Sequence, residues 1–222
     1  MVIELNNVGK RFRYEWIFKN VTQTFIPGTA YALLGPNGSG KSTFMKVLSG
    51  HLSPSVGTVS FSGKDHKTIE PDKLYQHISY AAPYIDLIEE MTLAEIIAYY
   101  FKFKTLRKGL THNDLIEILG LQKSINKEIR FFSSGMKQRL KLALAICADT
   151  PLLLLDEPTT NLDAQGVAWY QQLIAQNTCL PDRQAEFTSP IGMGVNRLVI
   201  VASNIEHDYD FCSVQMHILD YK

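Results

Sequence analysis

The segment Gly35-Pro36-Asn37-Gly38-Ser39-Gly40-Lys41-Ser42 carries the spacing G-x-x-x-x-G-K-S, an arrangement of residue types suited to phosphate chemistry. Glycines let the backbone turn back on itself, so several N–H groups can point at anionic oxygens. A helix beginning near Lys41 adds the field of its positive end. The Lys41 ammonium would bring a mobile charge to the β- and γ-phosphates of a nucleotide, and the Ser42 hydroxyl would ligate a bridging Mg2+. Together with Thr43 these residues form the candidate cradle. The plainer alternative is a glycine-rich strand-to-helix turn. The apolar run Tyr31-Ala32-Leu33-Leu34 before the loop and the helical stretch 42–48 after it supply the setting that a phosphate loop requires.

A second candidate lies far downstream. Leu152-Leu153-Leu154-Leu155 is apolar without alternation, as in a strand of a parallel sheet covered on both faces, and it ends in Asp156-Glu157. Asp156 could hold Mg2+ through its water, while Glu157 could accept a proton from water attacking in line with the γ-phosphate. In isolation this would read as an Asp-Glu turn before Pro158. The four leucines and the upstream loop favour the catalytic reading.

These residues need elements to position them. Residues 2–25 read as short alternating segments of an antiparallel sheet closed by the turn at Pro27-Gly28. Strands are expected at 57–61 and 78–81, joined by a polar surface connection over 62–76. Thr92 and Glu95 form a capping box that predicts a helix from Thr92 to about Phe103. A second helix spans 111–119 with Gly120 as its stop, and a third follows Ser134. A helix over about 163–176, a strand over 198–202 and a last strand near 216–219 complete an α/β pattern. Residues 178–196, rich in Pro, Gly, Ser and Thr, read as a long surface loop.

Composition narrows the classes. The 222 residues fit one domain, and 22 basic side chains balance 22 acidic ones, so no global field draws the chain to nucleic acid or an anionic membrane. Cys147, Cys179 and Cys212 lack ligand spacing and read as reduced structural thiols. The six histidines include no ligand pair, and Asn20-Val21-Thr22 reads as strand rather than glycosylation site. Met1-Val2-Ile3-Glu4 is no leader and no apolar run approaches a membrane span, which makes a cytoplasmic protein the expectation.

Phe132-Ser133-Ser134-Gly135-Met136-Lys137-Gln138-Arg139 resembles the L-S-G-G-Q signature of ABC ATPases, and it precedes the strand ending in Asp156-Glu157 as that family orders them. Thr159-Thr160-Asn161-Leu162-Asp163 resembles the family's D-loop, with Asp163 among the nucleotide-site residues, and Phe12 aligns with the aromatic residue that stacks on adenine. The resemblance covers essentially the whole chain. It implies a single ABC ATP-binding domain over 1–222: a P-loop NTPase core with a parallel sheet, an N-terminal antiparallel β lobe and a helical lobe inserted at about 85–148. It further implies ATP and Mg2+ as cofactors, and a head-to-tail dimer in which Ser133, Ser134 and Gly135 face the ATP of a second ABC subunit, in a homodimer or a heterodimer. Physically, Ser133 and Gly135 offer a hydroxyl and an open N–H at a helix start, both suited to an anion. The basic run Lys137, Arg139 and Lys141 then reads as a solvated face of that helix.

The chain departs from the family pattern in three places. Ser134 and Met136 replace residues of the G-G-Q core. Pro83 stands where the family has a Gln that senses Mg2+ and water, and proline has no side-chain donor or acceptor. Asn204 stands where the family has a His on the γ-phosphate; its amide can donate but carries no charge. His207, a turn later, reads as a solvated helical residue or as a substitute for that His. Loss of one transition-state contact costs about 10²- to 10³-fold in rate, so slow hydrolysis is expected. Two readings stay open: an ATPase in which Glu157 is the base and Asn204 and Lys41 hold the γ-phosphate, or a subunit that binds ATP and dimerises but scarcely hydrolyses it. As a transporter's motor the chain would act on a separate transmembrane permease from the inner face of the membrane, meeting it near Pro83 and over 85–121. Tyr84, Ile85, Leu87 and Ile88 either contact that partner or pack inside the lobe. A soluble ABC ATPase without a membrane partner is the other class; no nucleic acid is expected.

Overall fold

The computed structural model describes residues 1–63, 65, 67–177 and 197–222. The loop expected at 178–196, together with Cys179 and His66, lies outside them. An antiparallel hairpin opens the chain: β1 (Val2–Phe12) pairs with β2 (Glu15–Phe25) from Ile3 opposite Phe25 to Phe12 opposite Glu15. On its other edge β1 pairs with β4 (Val56–Ser62), giving a three-stranded sheet in the order β2-β1-β4. These strands are longer and more continuous than the sequence suggests. Register shifts after Leu5 and Val8, with Asn7 at φ 50°, break the alternation of apolar residues without ending the pairing.

The second sheet has five parallel strands in the order β5-β6-β7-β3-β8. They are β3 (Ala30–Leu34), β5 (Ile78–Ala81), β6 (Leu152–Asp156), β7 (Leu198–Ala202) and β8 (Val214–His217). The unalternating leucines of β6 are explained by two separate cores. Leu153 and Leu155 pack with Val199 and Val201 against the helical side, while Leu152 and Leu154 pack with Leu198 and Ile200 against the β lobe and α1 (Lys41–Leu48). β8 begins and ends two residues earlier than expected. Its partner β3 stops at Leu34 where the glycine loop begins, so beyond the His217–Leu34 pair there is no ladder to extend, and Ile218–Tyr221 coil into a 3-10 turn.

Between the sheets' contributions lie α2 (Leu93–Tyr100), α3 (His112–Leu119) and α4 (Ser134–Ile146), with α5 (Ala164–Asn177) after β6. Thr92 and Glu95 form the expected capping box, although α2 ends at Tyr100 rather than near Phe103; Lys102 and Phe103 instead bond back three residues in tightened turns. Thr111 and Asp114 cap α3 in the same way, and Gly120 closes it in the left-handed region at φ 66°. The C-terminal end of α4 is closed from across the molecule by buried Arg197, which donates to the carbonyls of Ile146 at 2.7 Å and Ala145 at 3.0 Å and to Thr150 Oγ1 at 2.9 Å. A guanidinium there satisfies orphan carbonyls and opposes the negative helix end. Burial pushes its pKa down to about 9. Burial likewise pushes the Cys147 thiol up to about 12, in keeping with an inert core residue.

Gly57 sits where β4 crosses the irregularity in β1. Its φ is 78°, and a Cβ would lie 2.2 Å from the carbonyl oxygen of Asn7. Backbone on the opposing strand cannot step aside as a side-chain end can. Gly57→Ala should therefore cost at least about 2 kcal/mol in urea denaturation, through the left-handed φ and the clash together. An unchanged denaturation midpoint would show that β1 and β4 are not locked in this register.

Candidate functional site

The parallel register brings three loops to one edge. Leu33 pairs with Ala202 and Ala202 with Asp156, so the glycine loop, Ser203-Asn204 and Glu157 all leave the sheet at its carboxyl end. Backbone bonds tie them: Glu157 N–H donates to Ala202 O at 2.8 Å and Ser203 N–H to Leu33 O at 3.2 Å. Ligands of open parallel sheets bind at such an edge.

In the glycine loop, Gly40 is the N-cap of α1 at φ 105°, and a Cβ there would meet Ile17 Cγ2 at 2.5 Å. Only glycine fits. Neither a capping side chain nor an acidic residue serves the first turn of α1, so its N–H groups face the loop as an anion site. Lys41 is 4% exposed and donates from Nζ to the carbonyls of Gly35 at 2.7 Å and Pro36 at 3.2 Å. A buried ammonium with only neutral acceptors is costly to maintain, and an entering phosphate would supply the missing charge.

Asp156 is 1% exposed. Among the described residues its Oδ1 has no hydrogen-bond partner, whereas its Oδ2 accepts from the Tyr84 hydroxyl at 3.0 Å. Burial holds this carboxyl above the usual range, opposed by the neighbouring Ser42 hydroxyl and by the Tyr84 bond; the Glu157 charge raises it and the Lys41 charge lowers it. A buried, unpartnered carboxylate oxygen beside a serine hydroxyl is a donor set for a hard divalent cation, so Ser42 and Asp156 could hold Mg2+. Glu157 has φ 45°, a left-handed conformation that costs a non-glycine residue about 1 kcal/mol or more. Thr160 Oγ1 reaches its Oε2 at 3.5 Å. Asn204 is exposed at the same edge.

The remaining candidates lie elsewhere. Ser133 is exposed and caps α4, its Oγ accepting from Met136 N–H at 3.2 Å. Gly135 lies against the segment after the carboxylates, where a Cβ would be 3.1 Å from Asn161 O, and Gln138 Nε2 donates to Pro158 O at 2.8 Å. Gly135 and Gln138 thus brace the segment 158–161 of their own chain. Asp163 has one oxygen committed to α5, accepting from Gly166 N–H at 2.7 Å. Phe12 is half exposed at the tip of the hairpin, with Lys10 Nζ 5.3 Å from its ring centre.

Two expectations are corrected. Lys137, Arg139 and Lys141 are not a solvated face: Lys137 pairs with Glu89 at 2.5 Å, Arg139 lies 4.6 Å from the Trp169 ring centre, and Lys141 donates to Ala82 O and Pro83 O. Contacts from other elements, which helical spacing cannot show, recruit each cation. His207 is in a 3-10 turn, Glu206–Asp208, rather than a helix, and its Nε2 is 3.2 Å from Thr159 Oγ1. The four residues at the loop divide by role: Leu87 packs into the helical core, Ile85 lines a groove, Ile88 is exposed, and Tyr84 turns to Asp156.

Sequence reasoning missed the roles of three polar residues. Buried Asp208 accepts from Ser203 Oγ at 2.5 Å and Thr159 Oγ1 at 2.6 Å, joining the loops that follow β7 and β6. Gln138 and Tyr84 were the others. Tyr84 had a signal, standing beside the proline that occupies a sensor position; Asp208 had none beyond being a carboxylate near that edge.

The ABC transporter family matches residues 18–160. The chain is 34% identical over 181 residues to the Bacillus subtilis ABC transporter ATP-binding protein YybJ, covering 79% of each. It is 30% identical over 215 residues to the lantibiotic transport ATP-binding protein SrtF of Streptococcus pyogenes, spanning 95% of this chain and 85% of the relative. A solved ATP-binding subunit of an ABC transporter superposes with a TM-score of 0.77 at 21% identity, covering 98% of this chain and 85% of the other. A dimeric bacterial ABC transporter cassette does so with a TM-score of 0.74 at 22% identity, covering 97% and 94%. With two thirds or more of such relatives matched, and the fold shared, the chain belongs to the ABC transporter ATP-binding subunit family.

Proposed function

We propose that the chain is a motor subunit that binds MgATP at the glycine loop, closes head-to-tail on a second ABC subunit around two nucleotides, and hydrolyses ATP slowly to drive a separate transmembrane permease. The observation that carries the reading is the cluster of buried Lys41 and Asp156 with half-buried Ser42, one carboxylate oxygen having no partner among the described residues and Glu157 held at φ 45° beside it. Mg2+, which Ser42 and Asp156 would hold, would supply neutralisation of phosphate charge when bound. The chain's own residues do the rest. Gly38, Ser39, Gly40, Lys41 and Thr43 bind and orient the phosphates from backbone and side chain, with Gly35, Pro36 and Asn37 shaping the loop. Glu157 takes the proton of the attacking water, and Asn204 donates its amide to the γ-phosphate.

Ser133, Ser134 and Gly135 are exposed or half-buried, as a surface that completes a partner's site requires. Phe12 and Asp163 belong to the same nucleotide-facing set by resemblance. The reading treats 1–222 as one ATP-binding domain with a helical lobe at about 85–148. A groove lined by Ile85, Leu87, Ser134 and Lys141 offers the permease a seat between that lobe and the loop at Pro83. Among the described residues no helix is long and apolar enough to cross a membrane, so transport needs the permease, with this subunit peripheral on its inner face. Relatives named for lantibiotic transport and for Nod factor export support the transport role.

A second reading, an ATP-binding subunit that scarcely hydrolyses, is favoured by Pro83 and by the uncharged Asn204. Single-turnover hydrolysis separates the two. Glu157→Gln should slow the reaction about 10²- to 10³-fold against the parent chain; equal rates would favour the second reading. The same variant, mixed with MgATP and followed by light scattering, should double in mass and return to monomer when nucleotide is removed. A mass that ignores nucleotide argues against an ATP-closed homodimer. Extraction of the tagged chain from membranes in detergent should bring a permease with it, and recovery of the chain alone would favour a soluble ABC ATPase.

A further inference from the structure

Tyr84 is the polar side chain at the metal carboxylate that neither the sequence pattern nor the family resemblance assigned. Its side chain is held from three directions, two at the hydroxyl and one at the ring. It donates to Asp156 Oδ2 at 3.0 Å, and because a carboxylate can only accept, the Tyr80 hydroxyl must be the donor in the bond between the two phenols. Lys46, from the turn of α1 beyond the glycine loop, lies 4.2 Å from the centre of the Tyr84 ring. The backbone just before Tyr84 is held as well, with Lys141 of α4 donating to Pro83 O at 3.0 Å and Ala82 O at 3.2 Å. A side chain restrained by α1, β5 and α4 at once cannot swing far from Asp156.

We propose that Tyr84 is a positioning residue for the divalent cation of the nucleotide site, holding Asp156 by one carboxylate oxygen so that the other is presented to the metal. The proposal rests on the reading of Asp156 as the metal carboxylate. The division of the two oxygens supports it: Oδ2 is taken by the phenol, whereas buried Oδ1 has no partner among the described residues. Outer hydrogen bonds of this kind fix the orientation of a ligating group, and their removal typically weakens metal binding about 10- to 100-fold. Pro83 makes the arrangement intelligible. With no side-chain donor at the sensor position, the next residue supplies one, reaching the carboxylate directly rather than the metal's water.

The test is calorimetric titration of a non-hydrolysable ATP analogue into the whole chain at stepped free Mg2+, for the parent and for Tyr84→Phe, Tyr80→Phe and Asp156→Asn. The phenyl ring of Tyr84→Phe keeps the Lys46 contact and loses only the hydroxyl. It should need about tenfold more Mg2+ for half-maximal enhancement of nucleotide affinity. Affinity for the metal-free analogue should change by less than about twofold, because that binding uses the glycine loop. Tyr80→Phe, one bond further out, should shift the Mg2+ requirement in the same direction by less. A general loosening of the loop would lower metal-free affinity as well, and that result overturns the proposal. An unchanged Mg2+ requirement in Tyr84→Phe overturns it too, and a lowered one shows instead that the phenol competes with the metal. If the parent shows no Mg2+ dependence, or Asp156→Asn keeps the parent's requirement, the metal reading of Asp156 fails first.

Discussion

Everything at the nucleotide edge depends on the parallel register of β3, β7 and β6. The pairs Leu33–Ala202 and Ala202–Asp156 end three strands at one level, so that the loops leaving them start within a few ångströms of one another. A one-residue slip of any strand would exchange the side chains facing the two cores and carry Asp156 to the wrong side. The register is strongly specified because both faces are apolar and each is packed against a different core, one built on the helices and one on the β lobe and α1. Register is thus secured by hydrophobic packing far from any charged group.

That packing offsets several local costs at the edge. Lys41 is a buried cation solvated only by carbonyls, Asp156 is a buried anion with one bare oxygen, and Glu157 has an unfavourable φ. Each would relax if the surrounding structure allowed it. The sheet restrains Glu157 through its N–H on Ala202 O, and Asp208 stiffens the next loop by clasping Ser203 and Thr159 together. A site held in this state is prepared for an anion and a cation that would relieve the costs together.

The α4 helix couples this edge to the rest of the surface. At its start, Gly135 and Gln138 brace the segment that follows Glu157; midway, Lys141 grips the carbonyls before Tyr84; at its end, Arg197 reaches in from the strand side. One rigid helix therefore touches the segment after Glu157, the Pro83 loop and the central sheet. It is a short mechanical route between those surfaces.

Local signals in the chain were enough to locate the glycine loop between strand and helix, the Thr92 capping box, the Gly120 stop and the leucine strand ending in two carboxylates. Each follows from backbone preferences or from a run of apolar side chains, which neighbours in sequence suffice to express. Strand β8 and the continuous β1–β2 hairpin were misplaced because their limits are set by partner strands: the end of β3 in one case, bulges that disguise alternation in the other. The partners of Lys137, Arg139, Lys141, Tyr84 and Asp208 were equally hidden, since a long polar side chain bonds with whatever the fold brings near it. By itself, then, the sequence determined the order of elements and the place of the candidate phosphate loop, which are encoded in short contiguous patterns. Only the tertiary structure decided which carboxylate oxygen is held and which is bare, because that depends on a tyrosine 72 positions away in the chain and on the sheet that brings it there.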